Sequence, residues 1–258
     1  MKINAVGNYH KCNNSKNPSF GKWREVVLHE GQEIAPGFRP KHMNHTWFFR
    51  SSPMWEPLVK FLINKYKDVE KINVYSHACS DGSEPLSFAM IIKSKFKEVA
   101  NKFLPFNAKD YDEVAIKRAN DRYYLIGYHE KGMINKNTND EFDKYFEFIE
   151  PYDSTYTVYK LKPDLYNDVK FSVADILKDY KKIKKENSFV MARNFWPYLS
   201  DEDKVKLAYG LSRQMKKNCT LMIGDFDLEN RWSVLDLPDI LEKAGFKPTK
   251  NKMLYTKG

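Results

Sequence analysis

Residues 71–92 have the pattern of a buried strand, a loop of small residues and a helix in direct succession. Ile72, Val74 and Tyr75 favour a pleated, half-buried strand. Ala, Cys, Ser and Gly dominate the loop, so a ligand could approach its backbone closely. Pro85 predicts the start of a helix, because its missing N–H costs nothing in the first turn. This unit favours an α/β architecture, and the unpaired N–H groups at the helix start predict a place for an anion.

The loop lacks the glycine pattern of the common nucleotide-binding motifs. Gly82 is its only glycine, whereas the dinucleotide fingerprint and the P-loop both contain more. Taken alone, a unit with one glycine is more often plain α/β scaffold than a cofactor loop. Both interpretations stay open at this point.

Strand and helix patterns alternate along the rest of the chain. Predicted strands lie within 102–112, 169–177, 187–194, 220–224 and 252–256. Predicted helices begin at Ser52, Glu113 and Ser200, and a further one runs over 235–244. The hydroxyls of Ser52 and Ser200 can cap the helices that follow them. Strands that alternate with helices predict a mostly parallel sheet covered by helices on both faces.

Two regions depart from this alternation. Residues 1–44 are rich in Asn, Lys, Gly and Pro, which predicts an extended N-terminal arm. Residues 121–165 are irregular, with predicted strands at 123–128 and 156–161 that could form a small inserted sheet. We therefore expect an arm over 1–44 and one domain over 45–258, with 121–165 as an inserted subdomain.

The charge of the chain leaves two interpretations open. The 258 residues carry a formal net charge of +9, which fits either a lysine-rich composition or an acidic partner. Such a partner could be a nucleic acid, an anionic membrane surface or an acidic protein segment. The densest basic run, 178–186, lacks Arg and contains acidic residues, so it favours a solvated surface over a nucleic-acid groove.

Membrane and metal-binding classes are not favoured by the sequence. No run approaches the roughly 20 apolar residues of a membrane span, so membrane insertion is not expected. Cys12, Cys79 and Cys219 are widely separated, which suits a reducing cytoplasm. With no HExxH motif and no Cys/His cluster, no metal site is predicted.

Polar residues follow four of the predicted strands, where ligands bind in parallel sheets. They are the loop 80–84, Asp110, Asp175 and the pair Arg193–Asn194. Asp110 comes one helix after the loop, in the order expected of an acid that grips a ribose. A hydrogen bond to such a charged group contributes about 1.5–3 kcal/mol. One acid at a strand end is ordinary turn chemistry, but four such positions together favour a nucleoside-type cofactor.

Four short motifs carry a family resemblance. They are Asn44-His-Thr-Trp-Phe-Phe-Arg50, Ala78-Cys-Ser-Asp-Gly-Ser-Glu-Pro85, Ala108-Lys-Asp-Tyr-Asp112 and Ala192-Arg-Asn-Phe-Trp-Pro-Tyr198, with the strand 171–177 between the last two. Through these motifs the chain resembles the chemotaxis receptor glutamate methyltransferases, the CheR family, which use S-adenosylmethionine. The resemblance runs from about Asn44 to the C-terminus.

The resemblance implies a fold, a cofactor and a partner. The fold is the Rossmann-like class I methyltransferase fold, with a mostly parallel seven-stranded sheet and a small inserted β subdomain. The cofactor is S-adenosyl-L-methionine, which leaves as S-adenosyl-L-homocysteine. The implied partner is an acidic protein substrate, namely the cytoplasmic region of a chemoreceptor, and methylation falls on its glutamate carboxylates.

It also implies roles for twelve residues. Those expected to bind the cofactor are Asn44, Thr46, Ser80, Gly82, Glu84, Asp110, Asp175, Ile176, Asn194 and Phe195. Those expected to be catalytic are Arg50 and Tyr198. Arg50 suits the task because its guanidinium can orient a carboxylate through a fork of donors. Since a carboxylate is already ionised at pH 7, no strong base is needed, and alignment of the reactants contributes about 7–11 kcal/mol.

The chain also departs from the family pattern. Ser83 stands where the family has the first Glu of a pair, so Glu84 must replace it or the affinity for the cofactor falls. Trp196 and Pro197 replace two aliphatic residues, which could reshape the acceptor pocket. The helical N-terminal domain of the family has no counterpart in residues 1–44.

Two alternatives to the receptor-type activity remain. The basic charge and the segment Phe195-Trp196-Pro197-Tyr198, which faintly resembles an amino-group methyltransferase motif, favour methylation of a nucleic acid or a small molecule. Ser83 and the short N-terminal region favour a non-catalytic adaptor that binds the cofactor or nothing.

Overall fold

A computed structural model describes residues 46–229 and 235–257, and a seven-stranded sheet forms its centre. The strands in the described residues are Asn73–His77 (β1), Phe106–Asp110 (β2), Tyr123–Gly127 (β3), Phe146–Pro151 (β4), Tyr156–Leu161 (β5), Val169–Val173 (β6), Ser188–Ala192 (β7), Cys219–Met222 (β8), Lys247–Pro248 (β9) and Leu254–Lys257 (β10). The large sheet has the order β6-β2-β1-β7-β8-β10-β9. Its first five strands are parallel and β10 is antiparallel to β8 and β9, which confirms the predicted, mostly parallel sheet.

Helices cover both faces of this sheet. The α-helices in the described residues are Trp55–Lys65 (α1), Ser83–Lys95 (α2), Ala100–Phe103 (α3), Glu113–Asp121 (α4), Tyr128–Asn137 (α5), Phe142–Tyr145 (α6), Pro163–Tyr166 (α7), Ile176–Asp179 (α8), Asp201–Gln214 (α9) and Leu237–Lys243 (α10). Successive residues of β7 enter different clusters: Met191 packs with the core under α1 and α2, and Val190 and Ala192 pack with the core under α9 and α10. This alternation places one apolar core on each face.

The starts of two helices test the predicted serine caps. Ser200 caps α9, and its Oγ accepts a hydrogen bond from the Asp203 N–H at 3.1 Å, which confirms the prediction. The cap predicted at Ser52 is wrong. Ser52 is instead the first residue of a short 3-10 helix that leads into α1. Its hydroxyl accepts a hydrogen bond from Asn137 Nδ2 at 2.9 Å, so it is used in a tertiary contact rather than a cap.

Residues within the predicted insertion form a separate antiparallel sheet, which we call the small sheet, with the order β3-β5-β4. The sequence predicted β3 and β5 but neither β4 nor the ten-residue helix α5. Phe48 packs between the small sheet's Tyr124 and Phe146, with ring centroids 5.0 and 5.2 Å away. The limits of the arm, domain and inserted subdomain stay a prediction. Among the described residues, no helix has the length and apolar character needed to cross a membrane.

Candidate active site

A cavity of about 260 Å³ opens where the parallel strands end. The residues after β1, β2, β6 and β7 contribute to its walls, because the carboxyl ends of parallel strands meet at one edge of a sheet. Nine of the predicted site residues line it: Thr46, Arg50, Ser80, Glu84, Asp110, Ile176, Asn194, Phe195 and Tyr198. The lining also includes Tyr111, Asp112 and Phe226, which the sequence did not assign to the site. Arg193, which the sequence placed at a strand end without a specific role, lines it as well.

Two of the predicted site residues that the structure describes, Gly82 and Asp175, are not part of this lining. Asn44 lies outside the described residues. Gly82 has φ +89° at the start of α2, and a Cβ there would meet the ring of Phe171 at 2.7 Å, so glycine is required by backbone and packing. Asp175 caps α8 by accepting a hydrogen bond from the Leu177 N–H at 3.0 Å. The structure therefore places Gly82 and Asp175 at helix starts, and their predicted binding of the cofactor stays a prediction.

Asp110 joins two segments of the cavity wall. Its Oδ2 accepts a hydrogen bond from the Ser80 N–H at 2.8 Å, and its Oδ1 accepts one from the Asp112 N–H at 2.9 Å. Burial raises the pKa of Asp110, and these N–H donors oppose the shift. A carboxylate has about four acceptor positions, so acceptor capacity remains for a ligand hydroxyl beside the N–H groups of Ser80, Asp112 and Tyr111. Asp110 thus both shapes the site and can bind in it.

The loop between β1 and α2 is held in an uncommon conformation. Ala78 and Ser80 have φ values of 55° and 54°, in a region of backbone conformation that residues other than Gly rarely adopt. α2 begins at Ser83, two residues before Pro85, so its start was predicted too late. Asp81 accepts hydrogen bonds from both the N–H and the hydroxyl of Ser83, at 2.9 and 2.7 Å. Ser83 therefore stabilises the loop itself.

A buried ion pair links this loop to the residue after β7. Arg193 Nη1 donates to Glu84 Oε2 at 2.6 Å, and the Arg193 side chain is fully buried. The guanidinium also lies 5.6 Å from the ring of Trp55. Burial raises the pKa of Glu84, and the positive charges of Arg193 and Arg50 oppose this shift. Glu84 therefore contributes to the cavity as one half of an ion pair.

Arg50 and Tyr198 lie close together in the cavity wall. Burial raises the pKa of Tyr198, and the nearby charge of Arg50 opposes this shift, so the phenol is a neutral hydrogen-bond donor at pH 7. Next to Arg50, Ser51 Oγ donates to Asp225 Oδ2 at 2.9 Å. Burial works in the opposite direction, but this bond and the charges of Arg193 and Arg50 lower the pKa of Asp225.

Trp196 does not reshape the cavity as the sequence suggested it could. Its side chain is 1% exposed and belongs to the core under α9. Its indole N–H donates to the Ala192 carbonyl oxygen at 2.8 Å. The neighbours Phe195 and Tyr198 line the cavity, whereas Trp196 is a packing residue.

Comparisons with known proteins decide the family of this chain. The model of the CheR methyltransferase S-adenosylmethionine-binding domain matches residues 44–231, which include every strand-end residue described above. The chain belongs to the CheR methyltransferase family. The mostly parallel sheet is its Rossmann-like class I methyltransferase fold, and S-adenosylmethionine is the cofactor of the matched domain.

Individual CheR relatives are distant in sequence. A chemotaxis protein methyltransferase of Listeria monocytogenes is 26% identical over 184 residues, which is 70% of this chain and 64% of the relative. The chain thus spans a little under two thirds of that relative's length. Chemotaxis protein methyltransferase 2 of Vibrio cholerae is 22% identical over 229 residues, covering 86% of this chain and 76% of the relative. The magnesium protoporphyrin IX methyltransferase of Synechocystis aligns with a TM-score of 0.42 at 10% identity, over 81% of this chain and 80% of its own.

The groups in the cavity of this CheR protein fit S-adenosylmethionine. The cofactor combines a carboxylate, an ammonium, a ribose diol and an adenine ring. Within the described residues, Arg193 Nε and Nη2 and Ser80 Oγ are buried without a hydrogen-bond partner, so they can bind polar groups of a ligand. Asp110 supplies acceptors for hydroxyls, and Ile176 and Phe195 supply apolar surface for a base.

Asp227 is a residue that sequence analysis missed. Its buried carboxylate accepts hydrogen bonds from the N–H groups of Asn194 at 2.6 Å, Gly224 at 2.7 Å and Trp196 at 3.1 Å. These bonds tie the loop after β7 to the loop after β8. The signal available in the sequence was an acid three residues beyond Gly224, at the end of a predicted strand. Asp227 therefore fixes the wall that carries Asn194.

Asp227→Asn is expected to destabilise the fold, because both carboxyl oxygens accept backbone N–H groups and an amide nitrogen cannot accept a hydrogen bond. The free energy of unfolding should fall by about 1–3 kcal/mol, measured by urea denaturation at pH 5. Burial raises the pKa of Asp227 to about 7, above the unfolded value of 3.8. The contribution of Asp227 to the free energy of unfolding is therefore fully present at low pH, and it is lost as the pH rises through 7. The difference in free energy of unfolding between wild type and Asp227→Asn should therefore become smaller from pH 5 to pH 8. A larger difference at pH 8 would contradict the raised pKa of Asp227.

Proposed function

We propose that this protein is an S-adenosylmethionine-dependent protein-glutamate O-methyltransferase. The observation that carries the proposal is one cavity lined by both Asp110, suited to a ribose, and Arg50, suited to a carboxylate. Tyr198, a neutral phenol beside Arg50, can donate one more hydrogen bond to the acceptor. The family match and the chemotaxis methyltransferase relatives support the same activity.

The residues of the chain bind and align, because methyl transfer to an ionised carboxylate needs no strong base. When bound, S-adenosylmethionine supplies an activated methyl group. Arg50 orients the acceptor carboxylate through its fork of N–H donors, and Tyr198 holds one of the acceptor oxygens. Asp110 and the loop around Ser80 hold the nucleoside part of the cofactor. Alignment of this kind lowers the barrier by about 7–11 kcal/mol.

The proposed acceptor is an acidic protein segment of the chemoreceptor cytoplasmic type. The net charge of +9 favours the approach of an acidic partner and should raise the rate of association at low ionic strength. A glutamate within such a segment would reach Arg50, whose charge it complements.

Methyl labelling tests this proposal. The purified protein is incubated with methyl-labelled S-adenosylmethionine and either receptor cytoplasmic fragments or RNA. We expect label on the protein acceptor that is released as methanol by mild base, which is diagnostic of a carboxyl ester. Label on RNA alone would replace the proposal with the nucleic-acid alternative. Binding of S-adenosylhomocysteine without transfer to either acceptor would support the adaptor.

A further inference from the structure

A carboxylate directly after the small sheet's first strand binds the backbone of the segment that carries Arg50. Glu130, on α5 directly after β3, accepts a hydrogen bond from the Phe48 N–H at 2.6 Å. Phe48 is 1% exposed, and its ring packs edge-on against Tyr124 and Phe146 of the small sheet. The ring of Phe48 is thus held by the small sheet, and its backbone is held by the helix that directly follows β3. Phe48 lies only two residues before Arg50 in the sequence.

The backbone on each side of Arg50 is strained. Phe49 has φ 55° and Ser51 has φ 59°, a conformation that is unfavourable for residues other than Gly. Such strain persists only where the surrounding structure imposes it. The Phe49 N–H donates to Ser87 Oγ at 2.8 Å, and the Arg50 carbonyl oxygen accepts from Trp55 Nε1 at 3.0 Å. With the bond from Phe48 to Glu130, three successive residues are fixed.

The same sheet also contacts the loop before α2. The Tyr124 hydroxyl donates to the Asp81 carbonyl oxygen at 2.9 Å. Tyr124 is 6% exposed, so this contact is shielded from water. The small sheet therefore touches both the Arg50 segment and the loop that lines the cavity at Ser80.

A packing role alone does not account for a carboxylate at position 130. Burial raises the pKa of Glu130 to about 7, and the charge of Asp81 adds to the shift, while the Phe48 N–H opposes it. An apolar side chain at this partly buried position would avoid this cost, since charged groups are expensive to remove from water. What an apolar side chain cannot do is accept the Phe48 N–H.

We propose that Glu130 is a positioning residue that fixes Arg50 for the acceptor, so that the small sheet sets the geometry of transfer. The inference rests on the proposed function and assigns part of its control to the inserted sheet. Glu130 does not line the cavity, so its effect passes through the backbone of Phe48 to Arg50.

Three variants test this role: Glu130→Ala, Glu130→Gln and the control Glu147→Ala, which removes an exposed glutamate of β4. Glutamine keeps an oxygen that accepts the Phe48 N–H, whereas alanine does not. Turnover with the protein acceptor, calorimetric binding of S-adenosylhomocysteine and hydrogen exchange of the Phe48 amide are measured for each. Urea denaturation corrects the exchange data for any change in global stability.

We expect Glu130→Ala to lower kcat/KM for the acceptor by about ten- to a hundredfold, because a small misplacement of an orienting group costs this much. Affinity for S-adenosylhomocysteine should stay near the wild-type value, and Glu130→Gln should recover most of the turnover. Equal losses of cofactor affinity and turnover, or failure of Glu130→Gln to rescue, would overturn the proposal.

The proposed function can be wrong while the proposed role of Glu130 is right, and the experiment separates the two. If wild-type protein transfers no methyl group, the receptor-type activity is wrong and hydrogen exchange alone decides the role of Glu130. Faster exchange at Phe48 in Glu130→Ala, but not in Glu130→Gln or Glu147→Ala, would support the positioning contact. Unchanged exchange in Glu130→Ala would overturn it.

Discussion

Asp110→Ala is expected to weaken the binding of S-adenosylhomocysteine by about a hundredfold or more, measured by titration calorimetry. Hydrogen bonds to a charged group contribute about 1.5–3 kcal/mol each, and each 1.4 kcal/mol is about tenfold in affinity. Acceptor positions of Asp110 remain for a ribose after it binds the backbone N–H groups of Ser80, Asp112 and Tyr111. The variant loses those positions and also releases the cavity wall at Ser80.

The fold of the Asp110 variant should survive with reduced stability. Two buried N–H groups lose their acceptor, which costs about 1–3 kcal/mol each, so urea denaturation should show a lower midpoint. Asp121→Ala serves as the control, because it removes an exposed aspartate from the end of α4. Near-wild-type affinity in folded Asp110→Ala would show that the ribose is not bound there.

Arg50→Lys is expected to reduce kcat/KM for the protein acceptor by about a hundredfold while cofactor affinity is nearly retained. Lysine keeps the positive charge but not the planar fork that grips a carboxylate through two bonds. Arg50→Ala should show a larger loss, because the charge that attracts the acceptor is removed as well. Steady-state kinetics and calorimetry with S-adenosylhomocysteine separate the two effects.

The Arg50 prediction has its own control and a contrary outcome. Arg213→Lys makes the same substitution at an exposed position of α9 and should leave turnover unchanged. Equal losses of cofactor affinity and turnover in Arg50→Lys would mean that Arg50 binds the cofactor rather than the acceptor. The ion pair of Arg193 with Glu84 would then have to be reconsidered as the feature that orients the acceptor.

Most of the central sheet could be predicted because its signals are local. Runs such as 187–194 are apolar enough to be buried on both faces, and the serine at 200 is followed by acidic residues that favour a helix start. β4 escaped prediction because the Phe148, Ile149 and Glu150 pattern is weak, and its pairing contains a bulge next to Phe148. α5 begins without a capping side chain at Gly127, so no start signal marked it.

The sequence by itself determined the α/β class, the order of the motifs and the strand-end residues that line the cavity, because each depends on a short run of residues. The tertiary structure alone decided which polar groups meet. Asp227 bonds to the loop after β7, Glu130 to the backbone before Arg50, and Arg193 to Glu84, across 109 residues in the last case. Hydrogen bonds and ion pairs act over about 3 Å, so their partners are set by how the chain returns to the same sheet edge and not by spacing along it.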